Sequence, residues 1–230
     1  MACMTEAMGM MLIGGAAIPA IQADRIRQAR KTGYCSVTLS KSNIKPRQIM
    51  TQSALTNALR VMLAIGGSTN ALIHIAAIAG RLGYDIDYKK IDKMSRETPV
   101  LVDLKPSGKH YMEDLQNAGG MITILRELSP LLDLECLTVS GLTLGEELNK
   151  APPNWKQDVV RSLNNPIFPE GGIAVLTGNL APDGAIIKPS AASQNLMKHK
   201  GKAVVFESIE ELHSKIDDPD LDVDENSILV

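Results

Sequence analysis

The stretch Leu63-Ala64-Ile65-Gly66-Gly67-Ser68-Thr69-Asn70-Ala71-Leu72-Ile73-His74-Ile75 joins two apolar helical patterns through a pair of glycines. Before it, Ala54, Leu55, Ala58, Leu59, Met62 and Leu63 recur at helical spacing; after it, Leu72, Ile75, Ala76 and Ala79 do the same. Gly66-Gly67 permits positive φ and a tight reversal, while Ser68, Thr69 and Asn70 are residue types whose side chains accept from the N–H groups of a first helical turn. The pattern predicts two buried helices meeting at an elbow. A helix start in such a place can hold an anion, because its unpaired N–H groups and its dipole both favour negative charge. Gly67, Ser68, Thr69 and Asn70 are therefore the candidate substrate-binding residues; the plainer alternative is a capped helix-turn-helix that only packs.

Outward from the elbow, the composition suits a soluble globular chain. Of its 230 residues 44% are apolar, enough for a sizeable core, but only 3% are aromatic, so packing must rely on aliphatic residues and on 11 methionines. Net charge is -2 and no long basic block occurs, which argues against nucleic-acid and anionic membrane partners and in favour of a small molecule. Cys3, Cys35 and Cys136 lie far apart without CxxC spacing, which fits free thiols in a reducing, cytoplasmic setting rather than a disulfide scaffold or a local zinc site. The apolar first twenty residues contain Glu6, Gly14-Gly15 and Pro19 and lack a basic start, so they predict neither a signal peptide nor a membrane span.

The first half is expected to be helical. Residues 1 to 13 form a helix ended by Gly14-Gly15; Ala23 to Thr32 form a second, with a basic face of Arg25, Arg27, Arg30 and Lys31; Thr51 caps the helix that leads to the elbow. Tyr84 to Tyr88 is a short strand or extended link, Tyr88 to Ser95 a short helix, and Pro99 to Leu104 a run of strand length closed by the turn Lys105-Pro106-Ser107-Gly108. Glu113 and Asp114 open a further helix, where they suit the helix dipole. His74, among apolar neighbours, is expected to be a hydrogen-bonded core histidine; Ser107, His110 and Asp114 are weaker site candidates. Beyond Leu137 the texture changes: Thr143 caps a short helix, then come β-like runs at Ile173 to Thr177, Ala185 to Lys188, Lys202 to Phe206 and Ser227 to Val230. This predicts an α/β protein with a helix-rich part at 1–135 and a β-rich part at 136–230. The helical pattern already running at Met1 and the apolar Ile228-Leu229-Val230 lead to the expectation of an internal piece of a longer protein.

Five phrases in order, MACMTEAMGM, AIGGSTNALIHIAAIA, VDLKPSGKHYMEDLQNAGG, LTVSGLTLGE and NPIFPEGGIAVLTGNLAPDGAIIK, resemble the dihydroxy-acid dehydratase and 6-phosphogluconate dehydratase family over nearly the whole chain. Gly14 to Ala20 is more similar to the sugar-acid members of that family, of arabinonate and xylonate type, than to the branched-chain biosynthetic enzyme. The resemblance implies a helix-rich portion of the dehydratase α/β domain followed by the beginning of a β-barrel-like C-terminal domain. It also implies a hydro-lyase that converts a 2,3-dihydroxy carboxylate to a 2-keto acid, with an iron-sulfur cluster (2Fe-2S) and magnesium as cofactors and a homodimer or homotetramer as its assembly. The same resemblance puts the cluster cysteines, the magnesium ligands and the base serine outside these residues, and Cys3 matches a variable cysteine rather than a ligand. No catalytic or metal residue is therefore assigned, and the chain alone is expected neither to bind the cluster nor to turn over substrate. A non-catalytic binding or regulatory remnant of the scaffold is the alternative.

Overall fold

A computed structural model describes residues 1–106 and 108–230, and of Gln194 only the backbone. Ser107, and with it part of the expected turn after Leu104, lies outside the described residues. By its contacts the chain divides into two units, Met1–Ser190 and Ala191–Val230.

Helix α1 (Ala2–Ala7) stops well short of residue 13. The reason is tertiary: at Gly9 (φ +81°) the chain runs so close to the segment after Cys136 that a Cβ would sit 2.7 Å from the Leu137 carbonyl oxygen, and Val139 N donates to Gly9 O at 2.8 Å. Gly14-Gly15 instead forms part of a loop folded around Glu6. That carboxylate is 2% exposed and accepts from Gly14 N at 2.6 Å and Ala16 N at 2.7 Å. Helix α2 (Ala23–Lys41) runs past the expected end at Thr32 and straight through Gly33, and none of its residues is buried.

Helix α3 (Pro46–Ile49) starts on its proline, and α4 (Gln52–Ala64) starts on Thr51, whose Oγ1 accepts from Ala54 N at 3.2 Å. Helix α5 (Thr69–Leu82) ends on Gly83 in the left-handed region. Only one stripe of α5 is buried, at Ala71, Leu72, Ile75 and Ala79; His74 stands exposed beside Ile73, so the expectation of a core histidine is corrected. Asp87 caps α6 (Tyr88–Glu97) by accepting from Lys89 N at 2.9 Å. The run Val100 to Leu104 is extended and buried at Val100, Leu101 and Val102, bridging Phe168 and Val160. Then follow α7 (Met112–Asn117), α8 (Gly120–Glu127) and α9 (Leu144–Lys150), the last opened by a capping box of Thr143 and Glu146. Strands β1 (Ala174–Leu176) and β2 (Ala185–Ile187) pair antiparallel, Val175 opposite Ile186.

Two apolar clusters fill Met1–Ser190. One gathers Leu101, Leu115, Met121, Ile124, Leu125, Leu128 and Leu144. The other gathers Met4, Met8, Leu72, Ile75, Ile91 and Ile173. Helix α4 serves both, giving Val61 and Ala64 to the first and Leu55, Leu59, Met62 and Leu63 to the second. A polar residue sits inside it: Asn57 is 1% exposed, and its amide donates to Asp133 O and accepts from Asp133 N, both at 2.9 Å.

In Ala191–Val230, β3 (Ala203–Val204) and β4 (Ile228–Leu229) pair parallel, and α10 (Ile209–Lys215) is capped by Ser208. The acidic loop Asp217 to Glu225 is largely exposed. The fold is mixed and helix-rich; among the described residues the strands form two separate pairs and no closed barrel. No helix is long and apolar enough to cross a membrane among the described residues.

Burial pushes the Glu6 carboxyl up to about 7 from its ordinary 4.5, against the pull of the backbone N–H groups of Ala16, Gly14 and Gly15, while the charge of Glu147 adds to the rise. A group with a higher pKa folded than unfolded stabilises fully below its unfolded value and loses that contribution as pH rises through the folded one. Stability to urea should therefore fall between pH 4.5 and about 7, and Glu6→Gln should flatten that slope. Parallel slopes for the two proteins would contradict the assignment.

Candidate functional site

The elbow follows from how a helix ends in a core. The last carbonyls of α4 have no partner within the helix, and left bare in an apolar setting each would cost about 1–3 kcal/mol. Here all are satisfied. Val61 O accepts from Ile65 N at 3.0 Å, Met62 O from Gly67 N at 2.8 Å, and Leu63 O from Gly66 N at 3.3 Å. This is the Schellman arrangement, which needs a left-handed residue at Gly66, where φ is +58°. Two distant segments complete the set: Leu101 N donates to Ala64 O at 2.8 Å, and Gly172 N donates to Leu63 O at 3.2 Å.

The chain then turns directly into α5. Ser68 is extended (φ −74°, ψ 141°), its Oγ accepts from Asn70 N at 3.2 Å, and its carbonyl accepts from Ala71 N at 3.0 Å. The backbone N–H groups of Ser68 and Thr69 have no acceptor among the described residues. Ser68 and Asn70 are exposed and Gly67 and Thr69 half-buried, so the four sequence-predicted residues form one accessible helix start.

Two contributors have no signal in local spacing. Gly172 lies flat on the elbow, where a Cβ would fall 2.8 Å from Gly66 Cα. Lys188, just after β2, donates from Nζ to Gly66 O at 2.6 Å; burial lowers the pKa of its ammonium, and it makes no ion pair among the described residues. A second Gly-Gly pair beside an apolar run, Gly171-Gly172-Ile173, was the one available sequence hint of a close approach.

Of the weaker candidates, Asp114 and His110 lie at another element. Asp114 accepts from Tyr111 N at 2.7 Å and thereby caps α7, with His110 Nδ1 at 3.9 Å from its Oδ2. The elbow lines neither of two surface cavities. One, of about 390 Å³, is bounded by Gln52, Thr56, Asn57, Arg60 and Asp133, and the other, of about 500 Å³, by Arg126, Leu148, Asn149 and Asn154. Among the described residues no three His, Cys, Asp or Glu side chains converge as a metal site. Burial pushes all three thiols up, Cys136 to about 11.

Gly172→Ala should destabilise the protein by about 2–3 kcal/mol, because its Cβ meets backbone that cannot step aside. Ser68→Ala should cost about 1 kcal/mol through the lost cap. Urea midpoints check both, and a neutral Gly172→Ala would show that the elbow is not packed as described.

Residues 1–147 match the family model described as dihydroxy-acid/6-phosphogluconate dehydratase N-terminal, and residues 158–230 match its C-terminal counterpart. The chain is 49% identical to an L-arabinonate dehydratase of Rhizobium leguminosarum bv. trifolii, an alignment covering 98% of this chain and 39% of that protein. It is 44% identical to an L-arabonate dehydratase of Azospirillum brasilense (100% and 40% covered) and 44% identical to a dihydroxy-acid dehydratase of Methanothrix thermoacetophila (92% and 39%). It thus spans about 40% of the length of these curated relatives. With both matched regions in order along the chain, it belongs to the dihydroxy-acid/6-phosphogluconate dehydratase family.

Proposed function

We propose that this chain forms part of a hydro-lyase that removes water from a 2,3-dihydroxy carboxylate, a sugar acid or a dihydroxy acid, to give a 2-keto acid. The observation that carries the reading is the family match along both parts of the chain, with relatives named for L-arabinonate and for dihydroxy acids. In that reaction the C2 proton and the C3 hydroxyl leave as water, and the resulting enol becomes the ketone. The substrate is an anion throughout.

The part proposed for these residues is to hold that anion. The unpaired N–H groups of Ser68 and Thr69, at the positive end of α5 and flanked by Gly67 and Asn70, suit a carboxylate. The iron-sulfur cluster (2Fe-2S) and magnesium implied by the family resemblance do not fit the described residues, among which no three His, Cys, Asp or Glu side chains come together as a ligand set. The contribution of this chain is accordingly binding and orientation. Its place in the whole protein is proposed as the end of the α/β domain and, after Cys136, the start of a β-barrel-like domain, in a cytoplasmic homodimer or homotetramer.

The test is a chimera in which this chain replaces the matching segment of the Rhizobium leguminosarum L-arabinonate dehydratase. Turnover of L-arabinonate or of 2,3-dihydroxy-3-methylbutanoate is expected, and Ser68→Ala combined with Thr69→Ala should raise KM by about tenfold. A folded chimera without turnover of either acid would overturn the reading, and unchanged kinetics in the double variant would remove the elbow from it.

A further inference from the structure

We propose that Lys188 is a positioning residue for the elbow, its ammonium fixing the Gly66 carbonyl and thereby the start of α5; the role rests on the reading of that elbow as an anion-holding element. Gly66 O belongs to the left-handed turn residue, one step beyond the carbonyls that the turn itself satisfies, and Lys188 Nζ at 2.6 Å is its one hydrogen-bond partner among the described residues. No carboxylate of the described residues comes within ion-pair distance of that ammonium.

The lysine is delivered from a fixed base. β2 is paired to β1, and the chain entering β1 is tied to the helices at four points. Gly171 N donates to Ser95 O at 2.7 Å, Ser95 Oγ to Ile173 O at 2.5 Å, Gly172 N to Leu63 O at 3.2 Å, and Val175 N to Asp92 Oδ1 at 3.0 Å. A side chain anchored this way at its root can set the position of what its tip holds. Where it holds Gly66, two opposite helix ends meet. The ammonium is favoured at the negative end of α4 and disfavoured at the positive end of α5. Packing α4 accounts for the first effect; a bound anion at Ser68 and Thr69 would relieve the second. Lys188 therefore couples the stability of the α4 end to the affinity of the α5 start.

The experiment uses the full 230-residue chain, unaltered and as Lys188→Met and Lys188→Arg. Amide shifts of Ser68, Thr69 and Ala71 are followed by NMR during titration with sodium L-arabinonate, with uncharged L-arabinose as control. Hydrogen exchange of the Gly66 and Gly67 amides, which donate to Leu63 O and Met62 O, is measured in parallel. Lys188→Met should bind arabinonate at least about tenfold more weakly and exchange those amides about tenfold faster, while Lys188→Arg, which keeps the charge and the donor, stays within about threefold in both. Equal losses in the two variants, or unchanged exchange in Lys188→Met, would overturn the proposal. If arabinonate shifts no elbow amide even in the unaltered chain while Lys188→Met alone accelerates exchange, the anion-holding reading falls and the coupling to affinity with it, leaving Lys188 as a structural anchor of the turn.

Discussion

The constraint on which the rest depends is that helix α4 ends inside the protein. A helix whose residues fill two apolar clusters cannot run out into water, so each terminal carbonyl must find a donor within the chain. The backbone turn at Gly66-Gly67 provides two, and Leu101 and Gly172 provide more from segments far along the sequence. This requirement brings the extended run after Pro99, the β1–β2 hairpin and the start of α5 to one place. The candidate site is thus a by-product of terminating a buried helix, and its accessible N–H groups exist because α5 must start where α4 stops.

What was legible in the sequence was what is decided within a few residues. Thr51, Ser68 and Thr143 cap the helices they were expected to cap, since a hydroxyl one turn before an apolar stripe has one economical use. The family assignment was legible as well, because ordered phrases survive where geometry is not yet known. What escaped depends on contacts between distant segments. Helix α1 ends at Ala7, just before Gly9, rather than at Gly14-Gly15 because Leu137 passes close to Gly9, and no pattern in residues 1 to 13 announces it. Helix α2 passes through Gly33 because nothing packs on that residue to demand a turn. The apolar neighbours of His74 point to the core, yet Ile73 is 68% exposed beside it: a stripe of buried residues, not average hydrophobicity, marks the inner face of α5.

Within the candidate site the same division holds. Gly67, Ser68, Thr69 and Asn70 are legible together because they are consecutive, whereas no spacing rule links Lys188 and Gly172 to Gly66. Glu6 illustrates a further limit. An acid in an otherwise apolar opening argues against a membrane span, but local sequence does not show that the backbone folds a glycine loop over it and supplies the hydrogen bonds that water would have given.

The amide of Asn57 gives α4 a keyed orientation. Both of its polar atoms meet the backbone of a single residue, Asp133, so turning the helix by one position, roughly 100°, would strip both at once. Like a pin in a keyway, it locks the roll of the cylinder that keeps each greasy face on its own cluster. Drift in the identity of Leu55, Leu59 or Met62 can then be absorbed without swinging the downstream reversal out of alignment.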